Sequence, residues 1–126
     1  MNSICSIFFK LLFSLHSLCV YGGGDRRQQI GAVAKGVEIV VATPGRLYDL
    51  MQAGALKTSS VSYVVLDEAD RMLDLGFEPQ IKKILIDVRP DRQIIMTRFK
   101  FSLFISIYVF VIIIIDQHIY MQCNVA

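Results

Sequence analysis

Val64-Val65-Leu66-Asp67-Glu68-Ala69-Asp70 constrains this chain more than any other stretch: an apolar run passes without a break into three carboxylates within four residues. The apolar half reads as a strand buried in a sheet. The acidic half then stands at the strand's C-terminal end, where open parallel α/β sheets form their ligand crevice. Three acids this close repel one another, so a cation belongs among them. A hydrated magnesium ion carrying a phosphate fits, because a hard divalent cation selects carboxylate oxygens and keeps several waters. A strand followed by a helix with an acidic first turn, placed to suit the helix dipole, accounts for the same residues. The heptapeptide alone does not choose between the two.

Two upstream stretches repeat the pattern of strand, then turn. Ser17-Leu18-Cys19-Val20 reads as a buried strand leading into Gly22-Gly23-Gly24, where positive φ is available and a backbone or phosphate can approach without a side chain in the way. The same glycines also suit a flexible turn. Asp25 is placed to cap a helix running towards Lys35, with Ile30, Val33 and Ala34 at helical spacing and Gly36 ending it. Val37 to Ala42 is a second β-branched run, and Thr43-Pro44-Gly45-Arg46 follows it. Threonine suits an N-cap, proline is pre-shaped for the first turn, and that turn's free amides can receive a phosphate, to which Arg46 adds a fork of donors. Plain helix capping explains these residues equally.

Downstream, Leu47, Leu50 and Met51 form one helix face, closed by Gly54; Met72 and Leu73, then Ile81, Ile84 and Leu85, mark further core-facing helix positions. Gln93 to Thr97 reads as a last strand. Composition divides the chain: of its 13 basic and 11 acidic residues, all but Lys10, Lys100 and Asp116 lie between Tyr21 and Arg98. A formal charge of +2 excludes nothing about nucleic acid, since binding needs a clustered basic face rather than a net excess. Cys5, Cys19 and Cys123 are an odd set without metal-like spacing and read as ordinary thiols.

Asp67-Glu68-Ala69-Asp70 followed by Arg71-Met72-Leu73-Asp74-Leu75-Gly76-Phe77, with Thr43-Pro44-Gly45-Arg46-Leu47 upstream, resembles the DEAD-box ATP-dependent RNA helicases. Tyr21-Gly22-Gly23-Gly24 is similar to that family's glycine motif, and Asp87 to Gln93 to the lead-in to its next strand. The likeness is to the subgroup with p68-like and KH-domain-bearing members and runs from about Ser17 to Thr97. It implies an α/β fold, an incomplete RecA-like three-layer parallel sheet over residues 17–97, flanked by an unassigned apolar leader (1–16) and a hydrophobic tail (98–126). It implies ATP and Mg2+ as cofactors, with Asp67 holding Mg2+ through water and Glu68 activating the water that attacks the γ-phosphate. Asp70 would link nucleotide state to RNA grip by pairing with a later Ser-Ala-Thr motif. Gly22, Gly23, Thr43, Pro44, Gly45 and Arg46 would hold the RNA backbone, which carries affinity but no base sequence. A nuclear or cytoplasmic location is expected.

The chain departs from the family in ways that set further expectations. No Gly-x-x-x-x-Gly-Lys-Ser/Thr phosphate loop occurs, so the nucleotide is not firmly held. The strand expected beside the acidic one is missing with it, which would leave apolar faces and unpaired inner edges, and the isolated chain poorly folded. Arg98-Phe99-Lys100 stands where Ser-Ala-Thr is expected, and no second RecA-like domain follows. The expected function is therefore that of a piece of an ATP-dependent RNA helicase, inactive alone. A non-catalytic RNA-binding or decoy module is one alternative. A tail-anchored membrane protein is another: Phe101 to Ile115 would rise about 22 Å as a helix against a hydrocarbon core of about 30 Å. The β-branched bias of that stretch equally suits a strand prone to self-pairing, and a gene-model artefact is a further reading of it. Residues 1–16 suit a secretory signal poorly, because Lys10 lies inside the apolar run.

Overall fold

The β-branched runs do become strands. In the computed structural model, which describes residues 15–98 and the strand 112–116, these are β1 (Ser17–Val20), β2 (Ile39–Ala42), β3 (Val61–Leu66), β4 (Gln93–Met96) and β5 (Ile112–Asp116). Four helices separate the first four strands: α1 (Arg26–Val33), α2 (Pro44–Gln52), α3 (Ala69–Asp74) and α4 (Glu78–Asp87). The helix starts follow local chemistry. The Asp25 carboxylate accepts the Arg27 and Gln28 amides at 2.8 and 3.3 Å, capping α1. Pro44 opens α2, where its missing N–H costs nothing. Gly36 and Gly54 take positive φ just past α1 and α2, ending them as expected.

The sheet order is β1-β2-β5-β3-β4. β1 runs parallel to β2, and β3 to β4, while β5 is antiparallel to both β2 and β3. The first four strands therefore all point one way, and their C-terminal ends share one edge. Register sorts their residues into two faces. Val20, Val40, Ala42, Val64 and Leu66 join Leu47, Leu50, Met72, Ile81 and Ile84 of the helices in one core. Full burial of a Val, Leu, Ile or Met side chain contributes about 1.5–3 kcal/mol. On the other face Ile39 is buried, but Cys19, Val41, Tyr63 and Val65 are only half-buried, and the helices pack on the first face. Leu73 departs from expectation: it is 52% exposed beside the fully buried Met72. α3 has only six residues, and neighbours in a helix cannot share its narrow buried face.

The family strands are interrupted where expected, between β2 and β3. The inner edges are nevertheless paired, because β5 lies in the interruption: Ile114 is opposite Val40 on one side and Val64 on the other. β4 ends and β5 begins at the same sheet edge, which is why this strand opposes its neighbours. In the apolar tail, whose sequence suits helix and strand equally, Ile112 to Ile115 are strand, and 99–111 lie outside the described residues, as do 1–14 of the leader. No helix among the described residues is long and apolar enough to cross a membrane.

Candidate functional site

Parallel strands bring four loops to one edge: Gly22 to Gly24 after β1, Thr43 to Arg46 after β2, Asp67 to Asp70 after β3, and Thr97-Arg98 after β4. The acidic turn is the strained member. Glu68 caps α3 at φ 54°, ψ 48°, the sole non-glycine among the described residues at positive φ. That conformation costs about 1–3 kcal/mol and persists only where its surroundings over-determine it.

Thr97 supplies those surroundings. Its N–H donates to the Leu66 carbonyl at 3.0 Å, and its carbonyl accepts the Ala69 N–H at 3.1 Å. Its hydroxyl accepts the Glu68 N–H at 3.3 Å and donates to Asp67 Oδ1. One residue thus ties down Asp67, Glu68 and Ala69. Asp70, in the first turn of α3, accepts a hydrogen bond from Arg98 Nε at 3.1 Å. An arginine therefore meets Asp70 where the resemblance implies hydroxyls.

Among the described residues no three His, Cys, Asp or Glu side chains gather to hold a metal ion by themselves. The donor set fits Mg2+ only in the mode typical of that ion, through one or two carboxylates with waters and phosphate completing its shell. Asp67 is the residue that could serve.

The loops after β1 and β2 are joined by a polar hub. Gln29 is buried; its Nε2 donates to the Tyr21 carbonyl at 3.2 Å and its Oε1 accepts from Arg46 Nη1 at 2.8 Å. Arg46 Nη1 also donates to the Gly24 carbonyl at 3.2 Å. A Cβ on Gly24 would lie 2.4 Å from Gln29 Nε2, so a side chain there would displace the Gln29 amide from its hydrogen bonds. Arg46 is thus turned inward, its side chain 14% exposed, and acts here as a strut for the glycine turn. Gly22 and Gly23 are exposed, the latter at φ 87°. Thr43 donates its N–H to the Val20 carbonyl at 3.1 Å, tying the ends of β1 and β2, and makes no side-chain cap bond. Pro44 is buried, while Gly45 is exposed on the first turn of α2.

Asp49, one turn further along α2, accepts from Arg26 Nε at 2.8 Å, with Arg46 Nε at 3.9 Å. The hydrogen bond from Arg26 holds its carboxyl below the usual carboxylate range and raises Arg26 in turn. A cleft lined by Gly36, Glu38, Leu56 and Lys57 lies at the opposite sheet edge, beside the starts of β2 and β3, remote from these loops.

Thr97, Gln29 and Arg98 were not candidates from sequence. Each acts through a contact 17 to 30 residues away. The nearest signal was negative, the replacement of an expected Ser-Ala-Thr by Arg98-Phe99-Lys100.

The DEAD/DEAH box helicase family model matches residues 1–97. The chain belongs to the DEAD/DEAH box helicase family. It is 61% identical over 93 residues to the probable ATP-dependent RNA helicase DDX43 of Homo sapiens, covering 74% of this chain and 14% of that protein. It is 58% identical over 82 residues to the ATP-dependent RNA helicase DBP2 of Scheffersomyces stipitis, covering 65% of this chain and 16% of the relative. Among solved structures it is similar to a DEAD box protein from the hyperthermophile Methanococcus jannaschii, with TM-score 0.64 and 39% identity over 70% of this chain and 24% of that one. The yeast DEAD-box splicing factor Prp28 gives TM-score 0.66 and 33% identity over 79% of this chain and 23% of that one. The fold is thus that of RecA-like DEAD-box domains, and the chain spans about a seventh of the length of these curated relatives.

Proposed function

We propose that this chain carries the RNA-gripping and acid-bearing edge of an ATP-dependent RNA helicase and does not turn over ATP by itself. The observation that carries the reading is convergence: the glycine turn, the start of α2 and the Asp67 to Asp70 turn meet at the C-terminal ends of β1, β2 and β3. Exposed amides at Gly22, Gly23 and Gly45 suit RNA phosphate oxygens, with Thr43 and Pro44 setting the helix start and Arg46 holding the glycine turn from behind. Asp67 would hold Mg2+ through water, a cation that supplies charge neutralisation at the phosphates of ATP. The strained Glu68 would orient the attacking water, and Asp70 would report the state of this edge to the RNA side.

Nucleotide binding needs a phosphate cradle that this sequence does not contain. Purified chain with ATP, Mg2+ and RNA is the direct test. Turnover above background that Glu68→Gln abolishes would overturn the claim of inactivity, and no RNA binding at low salt would overturn the gripping edge. A helicase of this family works in the nucleus or cytoplasm, which fractionation of the native protein tests.

One observation favours a second reading, an RNA-binding module without catalysis. Asp67 and Asp70 are engaged by Thr97 and Arg98, whereas the glycine turn is open. RNA affinity that is unchanged by ATP and falls steeply with salt would select it.

A further inference from the structure

The described sheet consists of two parallel pairs, β1-β2 and β3-β4, and β5 alone of the described strands is hydrogen-bonded to both. A two-stranded piece alone is marginal in water; a third strand or packing against a helix is needed for independent stability. β2 and β3 face each other across a gap one strand wide, each with an inner row of N–H and C=O groups. Ile112 to Ile115 answer both rows, opposite Ala42 to Ile39 on one side and Leu66 to Tyr63 on the other. The glycine turn and the start of α2 belong to the first pair, the acidic turn and Thr97 to the second. Helix packing of α2 against α4 joins the pairs on one face, but within the sheet their spacing is set by β5.

We propose that the gap between β2 and β3 is a strand-receiving site and that its occupant is this chain's own Ile112–Asp116. In this role β5 is a clasp: it closes the sheet and fixes the distance between the exposed glycine turn and the acidic turn. The slot asks for an apolar, β-branched strand without proline, and Ile-Ile-Ile-Ile is such a strand. β5 enters at the edge that carries the acids, since Ile112 pairs with Ala42 and Leu66, and Asp116 lies at the far edge opposite Val61. The inference does not rest on helicase activity.

Cross-strand partners have Cα atoms about 4.5–5.5 Å apart, inside disulfide reach. The test uses the full chain with Cys5, Cys19 and Cys123 replaced by serine and carries Ile113→Cys with either Val41→Cys or Val65→Cys, both of which pair with Ile113. Oxidation is expected to give an internal disulfide in the monomer for both pairs, with a yield independent of protein concentration. In the otherwise unmodified full chain, Ile114→Pro removes a ladder donor in mid-strand and should speed amide exchange by about a hundredfold at Val40 and Val65, whose N–H groups face β5. Disulfides found only between two copies, no disulfide in either pair, or exchange unchanged by Ile114→Pro would each overturn the proposal.

Discussion

The two halves of the candidate edge are held by opposite means. The glycine turn is fixed from inside, through a buried glutamine bonded to the Tyr21 carbonyl and to an inward arginine that holds the Gly24 carbonyl. The acidic turn is fixed from outside, through the exposed Thr97 at the end of β4 and the exposed Arg98 after it. A buried polar network rigidifies what it holds and is costly to break. Exposed bonds exchange with water and give way easily. The difference teaches that the glycine-turn side is built to keep one shape, whereas the acid side keeps a strained residue under light restraint.

The comparison breaks first at the core, which the halves share. Leu47 on α2 and Met72 on α3 are both fully buried in one cluster. Truncating either to alanine should cost about 2–5 kcal/mol. Chemical denaturation followed at Tyr21 and at Tyr63 would show one coincident transition for each variant. Separate transitions would mean that the halves are independent bodies and that the contrast drawn above is one between domains.

Next in size is the hub. Gln29→Leu leaves the Tyr21 carbonyl without its side-chain donor and takes one acceptor from the Arg46 guanidinium, and should cost about 1–3 kcal/mol. Amide exchange should rise around residues 21–25 and 43–46 and stay unchanged at 66–70. RNA affinity should fall with it if a preformed glycine turn is what binds.

On the acid side the expected effects are smaller and differ in sign. Glu68→Gly relieves the left-handed conformation and should raise stability by up to about 1 kcal/mol. Thr97→Val, which keeps shape but removes the hydroxyl, should lower it by about 1 kcal/mol. A Glu68→Gly chain that is less stable than the parent would show that the Glu68 side chain, rather than Thr97, holds the turn. Urea midpoints for the two variants decide this.

How much of this was legible follows from where each contact lies. Val64 to Leu66, Ile39 to Ala42 and the Asp25 cap depend on neighbours within a few residues, and periodicity or capping chemistry finds them. The family motifs add the order of the loops along the edge. The orientation of Arg46 was not legible, because its inward turn depends on Gln29, seventeen residues upstream and unremarkable as a helix residue. Thr97 read as the end of a strand, and only the parallel pairing of β3 with β4 sets its hydroxyl beside Asp67. The Ile112 to Ile115 run suits strand and apolar helix alike; its place depends on a gap made by residues far away in sequence.

The smallest expected effect sharpens the contrast through pH. Arg26 holds the Asp49 carboxyl below its ordinary range, and the pair links α1 to α2 on the glycine-turn side. With the folded-state pKa depressed, the unfolded chain binds the proton more readily. Stability from this pair is therefore present above the ordinary carboxylate pKa and is lost as pH falls through the depressed one. Both side chains are 45% exposed, so solvent screens the pair and the contribution is slight. Asp49→Asn should remove that fraction of the acid-induced loss, read as a flatter stability profile at low pH, and added salt should mimic the substitution in the parent chain. If Asp49→Asn instead loosens the glycine turn at neutral pH, seen as faster exchange at residues 21–25, the restraint on that side extends outward through Asp49 to the surface. It is then not confined to the buried bonds of Gln29.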